Sequence, residues 1–191
     1  MTEEEKRKLS HWCILIVPVC YIFFLKRDIL LLLLGAFFLL VAFVEALRRK
    51  YPVLNRKILK ILDGVYRKEE MYNTSTLIYT LSGMFFTIYF FEKKIAILAI
   101  LFLTFGDGFA ALVGERWGRH KISVNSKKSW EGTAANFFSC ILVGFVYLHF
   151  YQIGISKMLF GVLAVTAFEL LPKTKDNIII PVVSGFVMSV M

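Results

Sequence analysis

The chain has 191 residues, a net charge of +9 and 58% hydrophobic residues, with a mean hydropathy of +0.66. Soluble globular domains are about 45–50% apolar. Here the surplus falls into blocks parted by short charged stretches, which excludes an ordinary soluble enzyme and predicts a polytopic, all-α membrane protein built as one integral membrane domain over residues 1–191.

Seven apolar blocks are expected to span the bilayer: residues 9–25, 29–47, 77–91, 95–113, 133–151, 156–171 and 178–191. Several are shorter than the roughly 20 residues of a perpendicular crossing, so they extend into their flanks or meet a locally thinned bilayer. The first block follows Lys6, Arg7 and Lys8 as a signal peptide would, but no small-residue cleavage site follows it and more spans do. It reads as a retained helix. His11 stands at its start, where a lone histidine is ordinarily an interfacial group. The second block ends with Glu45 beside Arg48 and Arg49, at the spacing of a helical ion pair.

The next segment, "VLNRKILKILDGVYRKEE", places Leu54, Ile58, Leu62 and Val65 on one helical stripe, with Arg56, Lys57, Lys60, Arg67 and Lys68 largely elsewhere. It predicts a basic amphipathic helix lying on the membrane between the second and third spans, weakened near its end by Gly64. Cys13, Cys20 and Cys140 all lie in apolar blocks, without metal-type spacing, and read as small hydrophobes.

The cations give the orientation. With the N-terminus cytoplasmic, 18 of the 23 Lys and Arg residues fall on the inner side, and Lys26, Arg27, Lys93, Lys94 and Lys157 fall outside. This positive-inside bias predicts an external C-terminus and long cytoplasmic loops. It accounts for the net charge without a nucleic-acid partner, through anionic lipid and an anionic substrate.

One stretch carries chemistry: "FGDGFAALVGERWGRHKISVNSKKSWEGT". Asp107 follows a long apolar run, and carboxylates beside hydrocarbon tend to be paired and functional; the alternative is a turn or a structural acid. Gly106 and Gly108 let backbone and ligand approach closely. Gly106, Ala110 and Gly114 are spaced by four, a small-residue stripe for tight helix contact. The basic loop that follows contains Gly118 and ends in Lys127, Lys128 and Ser129. Ser129 is placed to cap the fifth span, with Glu131 and Gly132 in its first turn. Lysines, hydroxyls and free backbone N–H groups at a helix start form a phosphate site, although each lysine also serves positive-inside anchoring and Glu131 also suits a helix dipole. Two carboxylates for Mg²⁺ beside lysines for phosphate is the logic of phosphoryl or nucleotidyl transfer. Glu169 lies near the cytoplasmic end of the sixth span. Asp176 and Asn177 precede the seventh, where capping is the simpler role.

These residues resemble the signature of the CTP-dependent lipid kinases: dolichol kinase, phytol kinase and the CTP-using diacylglycerol kinase. The core is Gly106, Asp107, Ala110, Gly114 and Gly118, then Lys128, Ser129, Glu131 and Gly132. "EEKRKLSH", "VEALRRKYP", "YRKEEMYNTSTLIYTLSG" and "FELLPKTKDNIIIPVVSG" are similar to further family segments, though Thr74-Ser75 stands where Thr-Gly is usual. The resemblance implies CTP as phosphoryl donor, Mg²⁺ or another divalent cation, and a lipid alcohol as acceptor. It suggests Asp107 and Glu131 as metal or catalytic carboxylates and Lys127 and Lys128 on the triphosphate. Gly106, Gly108, Gly114, Gly118, Ser129, Gly132, Asp176 and Asn177 would lie around the nucleotide, with Arg67 and Glu70 as weaker candidates beside His11, Glu45 and Glu169.

Phosphatidate cytidylyltransferases share part of this stretch, but the histidine-glycine run of their ending is missing after Lys175-Asp176. A non-enzymatic carrier is the alternative of another class. Against it, the charges cluster on one face and no polar residue is expected near mid-membrane in the first, third or fifth spans. The sequence leaves open which alcohol is used, and it leaves a homo-oligomer open.

Overall fold

A computed structural model describes residues 11–61, 70, 73–122, 128–170 and 176–191. Among them the fold is all-helical, apart from one isolated antiparallel bridge between Lys121 and Ser129. A short 3-10 turn, Cys13–Leu15, leads into α1 (Ile16–Phe23). The helices that follow are α2 (Arg27–Lys50), α3 (Pro52–Ile61), α4 (Thr76–Phe90), α5 (Lys93–Arg116), α6 (Trp130–Phe150), α7 (Ile155–Leu170) and α8 (Asp176–Val190). Each of the seven apolar blocks therefore carries a helix. α2, α5 and α6 are long and apolar enough to cross a membrane; Cys13–Phe23, α4 and α8 are apolar but shorter.

The helix ends follow local chemistry. α2 carries Asp28 in its first turn and Arg48, Arg49 and Lys50 in its last, matching the helix dipole at both ends. It stops at Tyr51, which is extended, because a residue before proline is driven out of the helical region. Pro52 then opens α3, where its missing N–H costs nothing. Leu54, Ile58 and Leu59 of α3 are half-buried while Arg56, Lys57 and Lys60 are exposed, as an amphipathic segment requires. Leu62, Gly64, Val65, Arg67 and Lys68 lie outside the described residues.

α5 is the axis of the bundle. Residues 96–100 are completely buried, and α4, α6, α7, α8 and α1 all pack on this helix, α6 most extensively. A helix apolar all round belongs in such a position. The outer helices instead present large apolar side chains outward, among them Leu32, Leu39 and Phe43 of α2, Phe138 and Leu142 of α6, and Leu163 of α7. Where α4 meets α8, Gly83 faces the Asn177 carbonyl and Pro181 with no room for a β-carbon.

Candidate active site

The polar residues converge at one end of the bundle, around the C-terminal half of α5. Asp107 is on that helix with its side chain 33% exposed. His11 reaches it from the turn before α1: its Nε2 lies 3.1 Å from the Thr104 carbonyl and 3.7 Å from Asp107 Oδ2. A carbonyl only accepts, so Nε2 carries the proton in that bond. Trp12 packs edge-on against Phe105 and Phe109, and the His11 and Trp12 rings face Gly108. Close approach at Gly108 thus lets His11 and Trp12 lie across α5 beside its carboxylate.

The small-residue stripe does what its spacing predicts, because it joins α5 to α6. A β-carbon on Gly106 would lie 2.7 Å from Asn136 Nδ2 and 2.9 Å from Cys140 Sγ. One on Gly132 would lie 2.9 Å from the Ala110 carbonyl and 3.3 Å from Gly114 Cα. Gly118 and Gly114 both face Ser129. These glycines are contacts between helices and loop. Ser129 caps α6 as expected: its Oγ accepts from the Gly132 N–H at 3.2 Å.

Glu131 turns to the loop. Its Oε1 lies 2.7 Å from His120 Nδ1 and accepts the His120 backbone N–H at 3.2 Å. Glu131 is thus held by the loop, and Asp107 by the His11 side. Lys127 lies outside the described residues.

Lys128 draws in the ends of two further helices. Its Nζ donates to Asp176 Oδ2 at 2.8 Å and to the Glu169 carbonyl at 2.7 Å, and lies 3.5 Å from Glu169 Oε2. Asp107, Lys128 and Asp176 are the charges acting on the Glu169 carboxylate. Glu169 is only 6% exposed, and its Oε2 makes no hydrogen bond. The acids that share a neighbourhood are therefore Asp107, Glu169 and Asp176, with Lys128 among them. Asn177 faces elsewhere: its Nδ2 donates to Thr80 Oγ1 at 2.6 Å, tying α8 to α4.

Glu45 and Arg48 form a second cluster. The expected ion pair is there, but it is fully buried and two-pronged, with N–O distances of 2.8 and 2.7 Å. Arg48 also donates to Asn55 Oδ1 and to the carbonyls of Glu70 and Asn73. The Glu70 carboxylate accepts from the Thr76 N–H and hydroxyl at the start of α4. Glu70 and Glu45 thus sit in a joint between helices. Arg67 lies outside the described residues.

Sequence reasoning passed over Asn136 and Thr80. Asn136 had a signal, an amide inside the apolar block of α6. It is completely buried, accepts from Thr166 Oγ1 at 3.4 Å and leaves its Nδ2 without a partner. Asn136 stands in the first two turns of α6, toward the end that carries Ser129 and Lys128. Among the described residues no group of three or more His, Cys, Asp or Glu side chains is gathered to hold a metal ion. Mg²⁺, however, is commonly held by one or two carboxylates together with substrate phosphates, and a part-exposed Asp107 fits that smaller requirement.

The chain is 35% identical to the phytol kinase of Synechocystis over 140 residues, covering 68% of this chain and 58% of that protein. It is 22% identical to the CTP-dependent diacylglycerol kinase 1 of Saccharomyces cerevisiae over 114 residues, 60% of this chain and 39% of that one. An uncharacterized protein of Rickettsia prowazekii matches over 93% of this chain and 89% of its own length at 27% identity. The chain spans from 38% to 58% of the length of the first phytol kinases it matches. No family model and no solved structure matches.

Proposed function

We propose, for a chain that belongs to the lipid-kinase family of the phytol kinases and the CTP-dependent diacylglycerol kinases, that it moves the γ-phosphoryl group of CTP to the hydroxyl of a membrane lipid alcohol and releases CDP. The observation that carries this reading is the gathering of Asp107, Lys128, Glu169 and Asp176 at one end of an apolar helix bundle. An acceptor with a hydroxyl on a hydrocarbon tail stays in the bilayer, while a charged donor comes from water. Both meet only at such an end.

The cation bias supports seven spans, a cytoplasmic N-terminus and a site on the cytoplasmic face. In this reading Lys128 is a point charge for the outer phosphates, held in position by Asp176 and the Glu169 carbonyl. Asp107 is the carboxylate open enough to hold a divalent cation, which supplies charge neutralisation on the phosphates when bound. His11, fixed by the Thr104 carbonyl, keeps the Asp107 carboxylate oriented. Ser129, Gly114 and Gly132 set the distance between α5 and α6 and so between Asp107 and Lys128. Glu131 braces the loop through His120.

Purified protein in detergent or liposomes, given γ-labelled CTP, Mg²⁺ and a panel of polyprenol, phytol-like and diacylglycerol acceptors, is expected to move label into the lipid. Label released only as pyrophosphate, and only with phosphatidic acid present, would instead establish a cytidylyltransferase and overturn the proposal.

A further inference from the structure

Among the described residues three buried side-chain polar atoms have no hydrogen-bond partner: Ser75 Oγ, Asn136 Nδ2 and Glu169 Oε2. A buried polar atom without a partner lowers stability, and such atoms in a native fold call for an explanation. Ser75 lies at the start of α4, apart from the site. The other two lie on either side of one seam, between α6 and α7. Thr166, one helical turn before Glu169, crosses that seam to Asn136 Oδ1 at 3.4 Å. The Glu169 charge acts on Cys140, one turn beyond Asn136.

The two orphans are complementary. Asn136 Nδ2 is a donor with nothing to donate to, and Glu169 Oε2, with the Lys128 ammonium 3.5 Å away, is an acceptor that receives no hydrogen bond. An alcohol hydroxyl is the simplest group that answers both, offering a lone pair to the amide and a proton to the carboxylate. The outer faces of α6 and α7 are apolar, with Phe138, Leu142, Leu159 and Leu163 exposed. A hydroxyl carried on hydrocarbon therefore reaches the seam from the bilayer, where a free phosphate or sugar would not.

We infer that Asn136 and Glu169 receive the hydroxyl of the acceptor lipid, the amide holding its oxygen and the carboxylate taking its proton. The inference rests on the lipid-kinase reading and names the acceptor's place within it. The lipid oxygen forms a bond to the γ-phosphorus as the bond from that phosphorus to the bridging oxygen breaks. The proton passes to Glu169, and CDP leaves with the bridging oxygen and the electron pair. The charged groups facing Glu169 are Asp107 from α5, Lys128 from the loop before α6 and Asp176 from α8. Lys128 Nζ, 3.5 Å from Oε2, brings the phosphate-binding cation next to the proton acceptor, and holding the two reactants together lowers the barrier.

The test uses the full-length protein in mixed micelles, varying CTP and lipid alcohol separately. Glu169→Gln is expected to lower kcat by about 10²–10⁴-fold, the usual worth of a general base, with the KM for CTP within about two-fold. Asn136→Leu is expected to raise the KM for the alcohol by about ten-fold, the worth of one hydrogen bond, with the KM for CTP unchanged. If Glu169→Gln instead raises the KM for CTP and keeps kcat, Glu169 only steadies Lys128 and the inference fails. It also fails if both variants keep wild-type kinetics. Where Glu169→Gln does not fold, Glu169→Asp keeps the charge and withdraws the carboxylate: a lower kcat at unchanged KM for CTP supports the inference, and an unchanged kcat overturns it. A wild-type protein that transfers label to no alcohol overturns the kinase reading itself, an outcome distinct from an active wild type whose variants behave alike.

Discussion

Replacing Asp107 by Asn separates a functional carboxylate from a structural one. The swap keeps size and removes charge. Its cost to the fold follows from the surroundings: His11 Nε2 is 3.7 Å from the carboxylate, with side-chain exposures of 17% and 33% for the two partners. At that distance two full charges would interact by about 4 kcal/mol at an effective dielectric of about 20, but partial exposure and a histidine charged only when protonated reduce this to the 0–1 kcal/mol of exposed pairs. The His11 bond to the Thr104 carbonyl and the Trp12 ring contacts survive the change. Asp107→Asn is therefore expected to lose less than about 1 kcal/mol of stability while losing about 10²-fold or more in turnover, as befits a group acting on the phosphates or their metal. Thermal unfolding in detergent measures the first and lipid phosphorylation from labelled CTP the second. A variant that unfolds many degrees earlier, while its folded fraction turns over normally, would refute the reasoning and make Asp107 a packing residue.

Lys128→Ala removes the cation between Asp176 and Glu169; it is expected to raise the KM for CTP and, by leaving two largely buried acids without it, to cost about 3–5 kcal/mol, both read from kinetics and melting. Arg48→Lys keeps the charge but loses the fork that serves Glu45, Asn55 and two carbonyls, so a destabilisation of a few kcal/mol is expected in melting experiments. Gly132→Ala would push a β-carbon to 2.9 Å from the Ala110 carbonyl and is expected to cost about 1–3 kcal/mol. Gly154→Ala, with only ordinary contacts to Ser156 and Lys157, is its neutral control.

Much of the fold was legible because hydropathy in a bilayer protein is a strong local signal. All seven apolar blocks carry helices, and the Ser129 cap and the Gly106–Ala110–Gly114 stripe lie where local rules put them. What could not be read was pairing across distance. Lys128 meets Asp176 over a separation of 48 residues, and nothing in the spacing says that this acid belongs to it. Glu131 was grouped with Asp107 because both flank one loop; that the loop folds to present His120 to Glu131 is not written in the spacing. Glu45 was legible as an ion pair but not as a buried one, since its burial depends on Asn55, Glu70 and Asn73 arriving from later in the chain.

That joint constrains how the protein is made. Arg48 takes a carbonyl 25 residues downstream, on Asn73, as a partner, and a buried guanidinium is costly without its partners. While α2 is leaving the ribosome, Glu45 is in place but the later partners do not yet exist. The end of α2 can be fastened only once Asn55, Glu70 and Asn73 have emerged. Its folding is thus expected to be punctuated: α2 forms early and is locked late, when the start of α4 is in place. A ribosome stalled before Asn73 would hold an α2 that is still unfastened.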